Sequence, residues 1–269
     1  MNWKNSAETY KFLDETKLRW FLSDLLNCPL TMIPWQEHPT QAQREAFETA
    51  MQRLAAGEPV QYICGRAPFL DFEVRVSPDV LIPRPETEQL VELCCQAPLP
   101  EAPVILDVGT GSGCIAIALK RRFPAANVHA VDLSGAALNL ARENARTLGA
   151  DISFRQADLL ADTPAASVDL IVANLPYIGL TEAAALPKEV RDFEPHLALF
   201  AGADGTDLVC RLMDQARSVL KPGGRIFLET GETQQQCYRE TAAALGWDIR
   251  AFRDLAGRER FWELRFSAP

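Results

Sequence analysis

Long apolar runs are missing from this chain of 269 residues: the longest, CIAIAL (114–119), has six. A membrane-spanning helix needs roughly 20 such residues, so no spanning segment is expected. The opening MNWKNSAETYKF is polar and carries no apolar signal core, which points to a cytoplasmic rather than a secreted protein. Histidine is scarce, and the three present (His38, His129, His196) are scattered, so no metal site is expected. The seven cysteines, at 28, 64, 94, 95, 114, 210 and 237, form no C-x-x-C pair and are odd in number. They read as reduced thiols, mostly core filler. An excess of basic charge is also absent: 27 Lys and Arg stand against 36 Asp and Glu, a net charge of −9. A broad basic face gripping a nucleic-acid backbone is therefore disfavoured, although a local patch stays open. What is present is ordinary for a globular chain, at 48% hydrophobic and 23% charged. The length suits one large domain or a medium one with a smaller companion, and it buries a real core.

The first 60 or so residues carry helical patterns and no convincing strand. Tyr10, Phe12, Leu13, Leu18, Phe21, Leu22, Leu25 and Leu26 recur at helical or broken-helical spacing. Thr40 is placed to cap a helix through residues 43–56 that Gly57 and Pro59 stop. A β-like stretch follows at 69–76, ending in a proline-rich turn, LIPRPETE (81–88). From Pro103 onward short strands and helices alternate: VILDV (104–108), a helix from Cys114, NVHAVD (127–132), and a helix capped by Ser134 and stopped at Gly149. ISFRQAD (152–158) and VDLIVAN (168–174) are strands three and four. A helix over 208–220 ends at KPGG, RIFLET (225–230) is strand five, and a helix over 234–245 precedes two final strands. Repeated β–α units imply an α/β fold with a doubly wound, mostly parallel sheet, whose sites lie at the carboxyl ends of its strands. The expected division is a helical domain over 1–68, a β-hairpin linker over 69–84 and the sheet domain over 85–269.

Between the first sheet strand and its helix stands Asp107-x-Gly109-x-Gly111-x-Gly113. Glycines let the backbone turn tightly and approach a ligand, and the following helix N-terminus favours negative charge. A dinucleotide fingerprint would need glycine at position 114, which is Cys114. Asp107, two residues before the first glycine, suits a ligand with a cationic amino group, which points to S-adenosylmethionine. The competing readings are a dinucleotide loop and a merely structural glycine turn. On the first reading Asp107, Gly109, Thr110, Gly111, Ser112 and Gly113 hold the donor. Asp132, ending the second strand, can accept both ribose hydroxyls of a nucleoside; the competing role is to cap the next helix. Asp158, ending the third strand, can accept the adenine amino group with Leu159 beside the ring, or it is a solvated loop acid.

Asn174-Leu175-Pro176-Tyr177 follows strand four directly. The asparagine carbonyl and a backbone carbonyl beside proline can accept both hydrogens of a planar –NH2 group, and Tyr177 offers that group a flat face. The plain alternative is an Asn-x-Pro turn.

These motifs together resemble a class I methyltransferase acting on an amide or exocyclic amino nitrogen. More narrowly, the chain is similar to the peptide chain release factor N5-glutamine methyltransferases. GEPVQYICG (57–65), LIPRPETE, ILDVGTGSGCIAIAL, AVDLS, VANLPYI, EVRDFEPHLALFAGADG (189–205), LKPGG and RDLAGRERF (253–261) stand in that family's order over nearly the whole chain. The resemblance implies a small helical N-terminal domain before a seven-stranded catalytic sheet. It also implies S-adenosylmethionine as methyl donor with no metal, and the glutamine of the Gly-Gly-Gln loop in class-1 release factors as acceptor. A monomer with no stable nucleic-acid or membrane partner is expected. Arg84 and Glu86, with Thr87, would border donor and substrate; the alternative is a salt-bridged loop lock. Asn174, Leu175, Pro176 and Tyr177 would bind the acceptor, with Asn174, Pro176 and Tyr177 catalytic and Asn174 also touching the donor.

One position departs from the family pattern. Asn-Pro-Pro-Tyr is usual, and Leu175 replaces the first proline. Asn-Leu-Pro-Tyr is the form of ribosomal RNA adenine dimethyltransferases, so an adenine-N6 methyltransferase acting on RNA or DNA is the alternative. The flanking motifs and the acidic charge favour the protein substrate, and retained chemistry is expected because Asn174, Pro176 and Tyr177 are intact.

Overall fold

Asp14 divides the first helical pattern in two: its carboxylate accepts from the Thr16 and Lys17 N–H groups and opens a new helix. The computed structural model describes residues 2–11 and 13–266; Phe12, counted in that pattern, lies outside them. The result is α1 (Trp3–Thr9) and α2 (Glu15–Leu25). Thr40 and Gln43 close a reciprocal capping box on α3 (Gln41–Ala56), which ends at Gly57 with φ 99°. A short α4 (Val60–Cys64) follows. Trp3, Phe21, Leu22, Phe47 and Met51 form the core of this unit, with the Trp3 and Phe47 rings edge to face at 5.7 Å.

The unit comprises Met1–Arg66 together with Pro187–Phe193. The second segment corrects the contiguous division expected from the sequence. Lys17 pairs with Glu189 at 2.5 Å, and Lys188 donates to the Ala56 carbonyl. Seven residues so rich in charge carry no pattern that reveals what they join.

The second unit comprises Ala67–Leu186 and Glu194–Pro269. Near its start, β1 (Arg66–Phe69) and β2 (Phe72–Arg75) form a hairpin. The hairpin expected over 69–84 is present but lies earlier, over residues 66–75, and the chain reverses at Leu70, held at φ 51°. The proline-rich turn is corrected as well, since its second half opens α5 (Pro85–Gln96). Pro85 is tolerated there because the first helical N–H has no intrahelical acceptor.

The remaining elements are β3 (Val104–Val108), α6 (Cys114–Arg122), β4 (Asn127–Asp132), α7 (Gly135–Thr147), β5 (Ser153–Gln156) and β6 (Val168–Asn174). After them come α8 (Lys188–Phe193, in the first unit), α9 (Asp207–Val219), β7 (Leu220–Glu229), α10 (Gln235–Leu245), β8 (Trp247–Arg253) and β9 (Glu259–Phe266). Ser134 caps α7 as expected. KPGG lies within β7 rather than before it, and the β6–β7 register slips between Val168 and Leu170 to absorb the extra residues. The seven strands run in the order β5-β4-β3-β6-β7-β9-β8, all parallel neighbours except where β9 pairs antiparallel with β7 and β8. The order reverses between β3 and β6, and such a switch point leaves a crevice at the carboxyl ends of those two strands.

Candidate active site

The crevice is there, as a cavity of about 270 Å³ whose lining comes from both strand ends. That is near the low end of the roughly 300–1,000 Å³ usual for ligand sites. Gly109, Thr110, Gly111 and Ser112 line it after β3, Asp132 at the end of β4, Asp158 and Leu159 after β5, and Asn174 at the end of β6 with Leu175 and Pro176 just beyond it. Arg84 and Thr87 reach it from the start of α5. A side chain on Gly109 would bring a Cβ within 2.9 Å of Leu175 Cδ2, so glycine there lets Leu175 seal the loop. That contact explains how leucine is accommodated: Leu175 is buried, and its side chain packs over the glycine turn.

Asp132 accepts from the Gly111 N–H with one carboxylate oxygen and from the Ser134 N–H with the other, each at 2.8 Å. Burial raises its pKa. Each oxygen keeps a lone pair for a ligand. Asp158 faces the cavity but is half exposed and paired with Arg211 at 2.7 Å. Leu159 beside it sits at φ 53°, a left-handed conformation that costs a leucine roughly 1–2 kcal/mol. Such strain collects where a loop is held for function.

Asn174 is not simply exposed to the cavity. Its Nδ2 donates to Thr87 Oγ1 at 2.9 Å, and Thr87 Oγ1 donates to Glu229 Oε2 at 2.8 Å. The carbonyl Oδ1 is thereby left as the amide's acceptor. Glu229 is the register partner of Asn174 across the β6–β7 pair, and burial lifts its pKa to about 7. Tyr177 is half-buried nearby, with Glu229 and Arg260 among the charges it feels, and desolvation pushes its phenol up to about 12. Its carbonyl accepts from Gln234 Nε2 at 2.9 Å.

Four of the residues proposed from the sequence do not line the cavity: Asp107, Gly113, Glu86 and Tyr177. Asp107 is wholly buried and braces the turn, accepting from Thr110 Oγ1 at 2.6 Å and from the Ala116 N–H at 3.2 Å. Its Oδ1 has no partner among the described residues. Gly113 faces α7, where a Cβ would come within 3.1 Å of Ala141 Cβ. The loop lock considered for Arg84 forms with a different acid, Glu194, at 2.5 Å rather than with Glu86 or Glu88. Glu229 and Glu194 are the site residues that sequence reasoning missed. Glu229 had one usable signal, its place at the carboxyl end of a strand. Among the described residues no cluster of His, Cys, Asp and Glu could hold a metal, and no helix is long and apolar enough to cross a membrane.

Burial raises the Asp107 pKa from 3.8 to about 7. The folded protein therefore keeps a proton through a window in which the unfolded chain has released it. Stability falls as pH rises from about 4 to about 7, and the whole penalty stands above that. Asp107→Asn should unfold later than the parent at pH 8, by on the order of 2 kcal/mol. The gain should shrink towards pH 5. Denaturant midpoints at the two pH values check this, and an unchanged gap would sink it.

Residues 101–247 match the model of a methyltransferase domain, and residues 11–65 that of the PrmC N-terminal domain. Among solved structures, ribosomal protein L11 methylase from Lactobacillus delbrueckii subsp. bulgaricus superposes with a TM-score of 0.53 at 25% identity, covering 69% of this chain and 81% of its own. A methyltransferase from Pyrococcus furiosus shares the fold, with a TM-score of 0.56 at 16% identity over 86% of this chain and 100% of its own. Sheet order, glycine turn and domain match define a methyltransferase. The release factor glutamine methyltransferase of Moorella thermoacetica is 41% identical over 251 residues, 91% of this chain and 88% of that one. That of Koribacter versatilis is 45% identical over 210 residues, 77% and 75% of the two chains. The chain belongs to the release factor glutamine methyltransferase family.

Proposed function

We propose that the protein transfers a methyl group from S-adenosylmethionine to the side-chain amide nitrogen of the glutamine in the Gly-Gly-Gln loop of class-1 release factors, modulating translation termination. The observation that carries this is the Asn174 amide, whose nitrogen is taken by Thr87 and whose carbonyl is left to accept. A site so arranged suits an acceptor that donates N–H groups. The names of the curated relatives favour a glutamine amide over a nucleic-acid adenine.

The residues suit the donor. A buried carboxylate oxygen without a partner, Asp107 Oδ1, is costly alone and fits beneath a positively charged ligand. Gly109 to Ser112 would carry the methionine part, Asp132 the ribose hydroxyls, and Asp158 with Leu159 the adenine. When bound, S-adenosylmethionine would supply a sulfonium methyl for the amide nitrogen's lone pair, with sulfur keeping the electron pair of the carbon–sulfur bond. Amide lone pairs are delocalised and poorly nucleophilic, so positioning must lower most of the barrier. Asn174 Oδ1 and the carbonyl of Leu175 or Pro176 would hold the two N–H groups and stabilise positive charge developing on nitrogen. The methylated nitrogen would pass its extra proton to solvent, so no side chain need act as a strong base before attack.

The test uses labelled donor with purified release factor and with the same factor carrying a substitution of the Gly-Gly-Gln glutamine. Label on the first and none on the second is expected. Equal label on both would remove the assignment.

A further inference from the structure

The Asn174 amide could face its acceptor either way round, and only one way presents a carbonyl. We infer that Thr87 and Glu229 are positioning residues that set this direction, making the site selective for a nitrogen that donates hydrogen bonds. The inference rests on the reading of Asn174 given above.

The geometry is a chain of two hydrogen bonds running inward. Glu229 is 1% exposed, Thr87 is 3% exposed, and the bonds between the three residues are 2.8 and 2.9 Å. An ionised carboxylate only accepts. Thr87 has one hydroxyl proton and must give it to Glu229 Oε2. Its lone pairs then face Asn174, which can answer only with its –NH2. The carbonyl is turned outward as a consequence, and Asn174 lines the cavity. The fold supplies the parts from separate places: Thr87 near the start of α5, Asn174 and Glu229 as direct partners at the ends of adjacent parallel strands.

Reversal has a definite trigger. A proton on Glu229 makes that end a donor, so Thr87 turns its hydroxyl towards Asn174 Oδ1, and the amide presents –NH2 to the acceptor. The charged and titratable groups around Glu229 are Arg84 and Glu86 by α5, Cys114 on α6, Tyr177 after β6 and Arg260 on β9. Burial outweighs the two arginines, and the carboxyl titrates at about 7. With donor and release factor saturating, kcat should therefore rise through about pH 7, and one unit below that the ionised form, and kcat with it, should be roughly tenfold down.

The experiment measures kcat, both KM values and donor affinity for the full chain from about pH 6 to about pH 9. Thr87→Val should lower kcat at least tenfold with donor affinity within about twofold, and Thr87→Ser should restore it. Glu229→Gln should lose the rise through about pH 7, because it has no proton to release. If Asn174→Ala is inactive while Thr87→Val keeps full kcat and Glu229→Gln keeps the parental pH limb, the positioning pair is wrong and the Asn174 reading stands. An active Asn174→Ala overturns both. Should Thr87→Val fail to fold, Glu229→Gln and its pH profile decide.

Discussion

Asn174→Ala is expected to lower methylation of release factor by about 10²–10³-fold while leaving donor affinity within about twofold of the parent. The size follows from what the side chain supplies. Its carbonyl would hold one N–H of a weak nucleophile and meet the positive charge that grows on nitrogen during transfer, an interaction stronger in the transition state than in the ground state. Truncation also leaves the Thr87 hydroxyl without its incoming bond, so the buried Thr87–Glu229 pair loses its outward partner. The donor end of the cavity is built by other residues, chiefly Gly109 to Ser112 and Asp132. A loss confined to kcat separates this role from a binding role, since uniform binding would appear in KM. Binding measured by calorimetry beside single-turnover methylation checks it. Turnover near the parent would refute the role of Asn174.

What was legible along the chain was whatever is local. Thr40 and Ser134 announced their helices because capping is a contact three residues long. Asn174 was legible because its motif follows a strand whose apolar run reads as buried on both faces. Glu229 was not, although it lies beside Asn174, because register between parallel strands leaves no trace in either strand alone. The same holds for Glu194, found only through its 2.5 Å bond to Arg84. Asp107 shows the opposite failure. Its spacing from the glycines suggested a cavity residue, yet its carboxylate turns inward to hold Thr110 and the start of α6. The motif located the loop correctly and could not say which way the acid points. At α5 a proline read as a breaker is a helix opener, and only the following residues, with Leu90, Val91 and Cys94 buried along one side, distinguish the two.

Gly205→Ala should cost both stability and turnover, for a reason that lies in the backbone. Gly205 has φ 77°, and a Cβ there would come 2.1 Å from the Tyr177 carbonyl oxygen and 2.9 Å from the Gly179 nitrogen. These are main-chain atoms, which cannot swing aside as a flexible side-chain tip can. The Tyr177 carbonyl is also fixed from another direction by Gln234 Nε2, so a displaced carbonyl breaks a bond whose donor sits largely buried. Left-handed strain at an alanine costs roughly 1–2 kcal/mol, and overpacking adds a comparable amount. The expected outcome is a stability loss of roughly 3 kcal/mol together with a fall in kcat of at least tenfold, because the Tyr177 carbonyl that ends the asparagine motif is pushed from its place. Gly223→Ala is the matched control: φ is 79° and a Cβ would meet nothing within 4 Å, so the same backbone strain arises far from any carbonyl. If Gly205→Ala and Gly223→Ala lose stability alike and both keep full kcat, the contact between Gly205 and Tyr177 is not what seats the acceptor loop. A kcat defect confined to Gly205→Ala would tie the glycine of the AGADG stretch (201–205) to the asparagine motif through one carbonyl, although 27 positions separate Gly205 from Ile178, the residue after Tyr177.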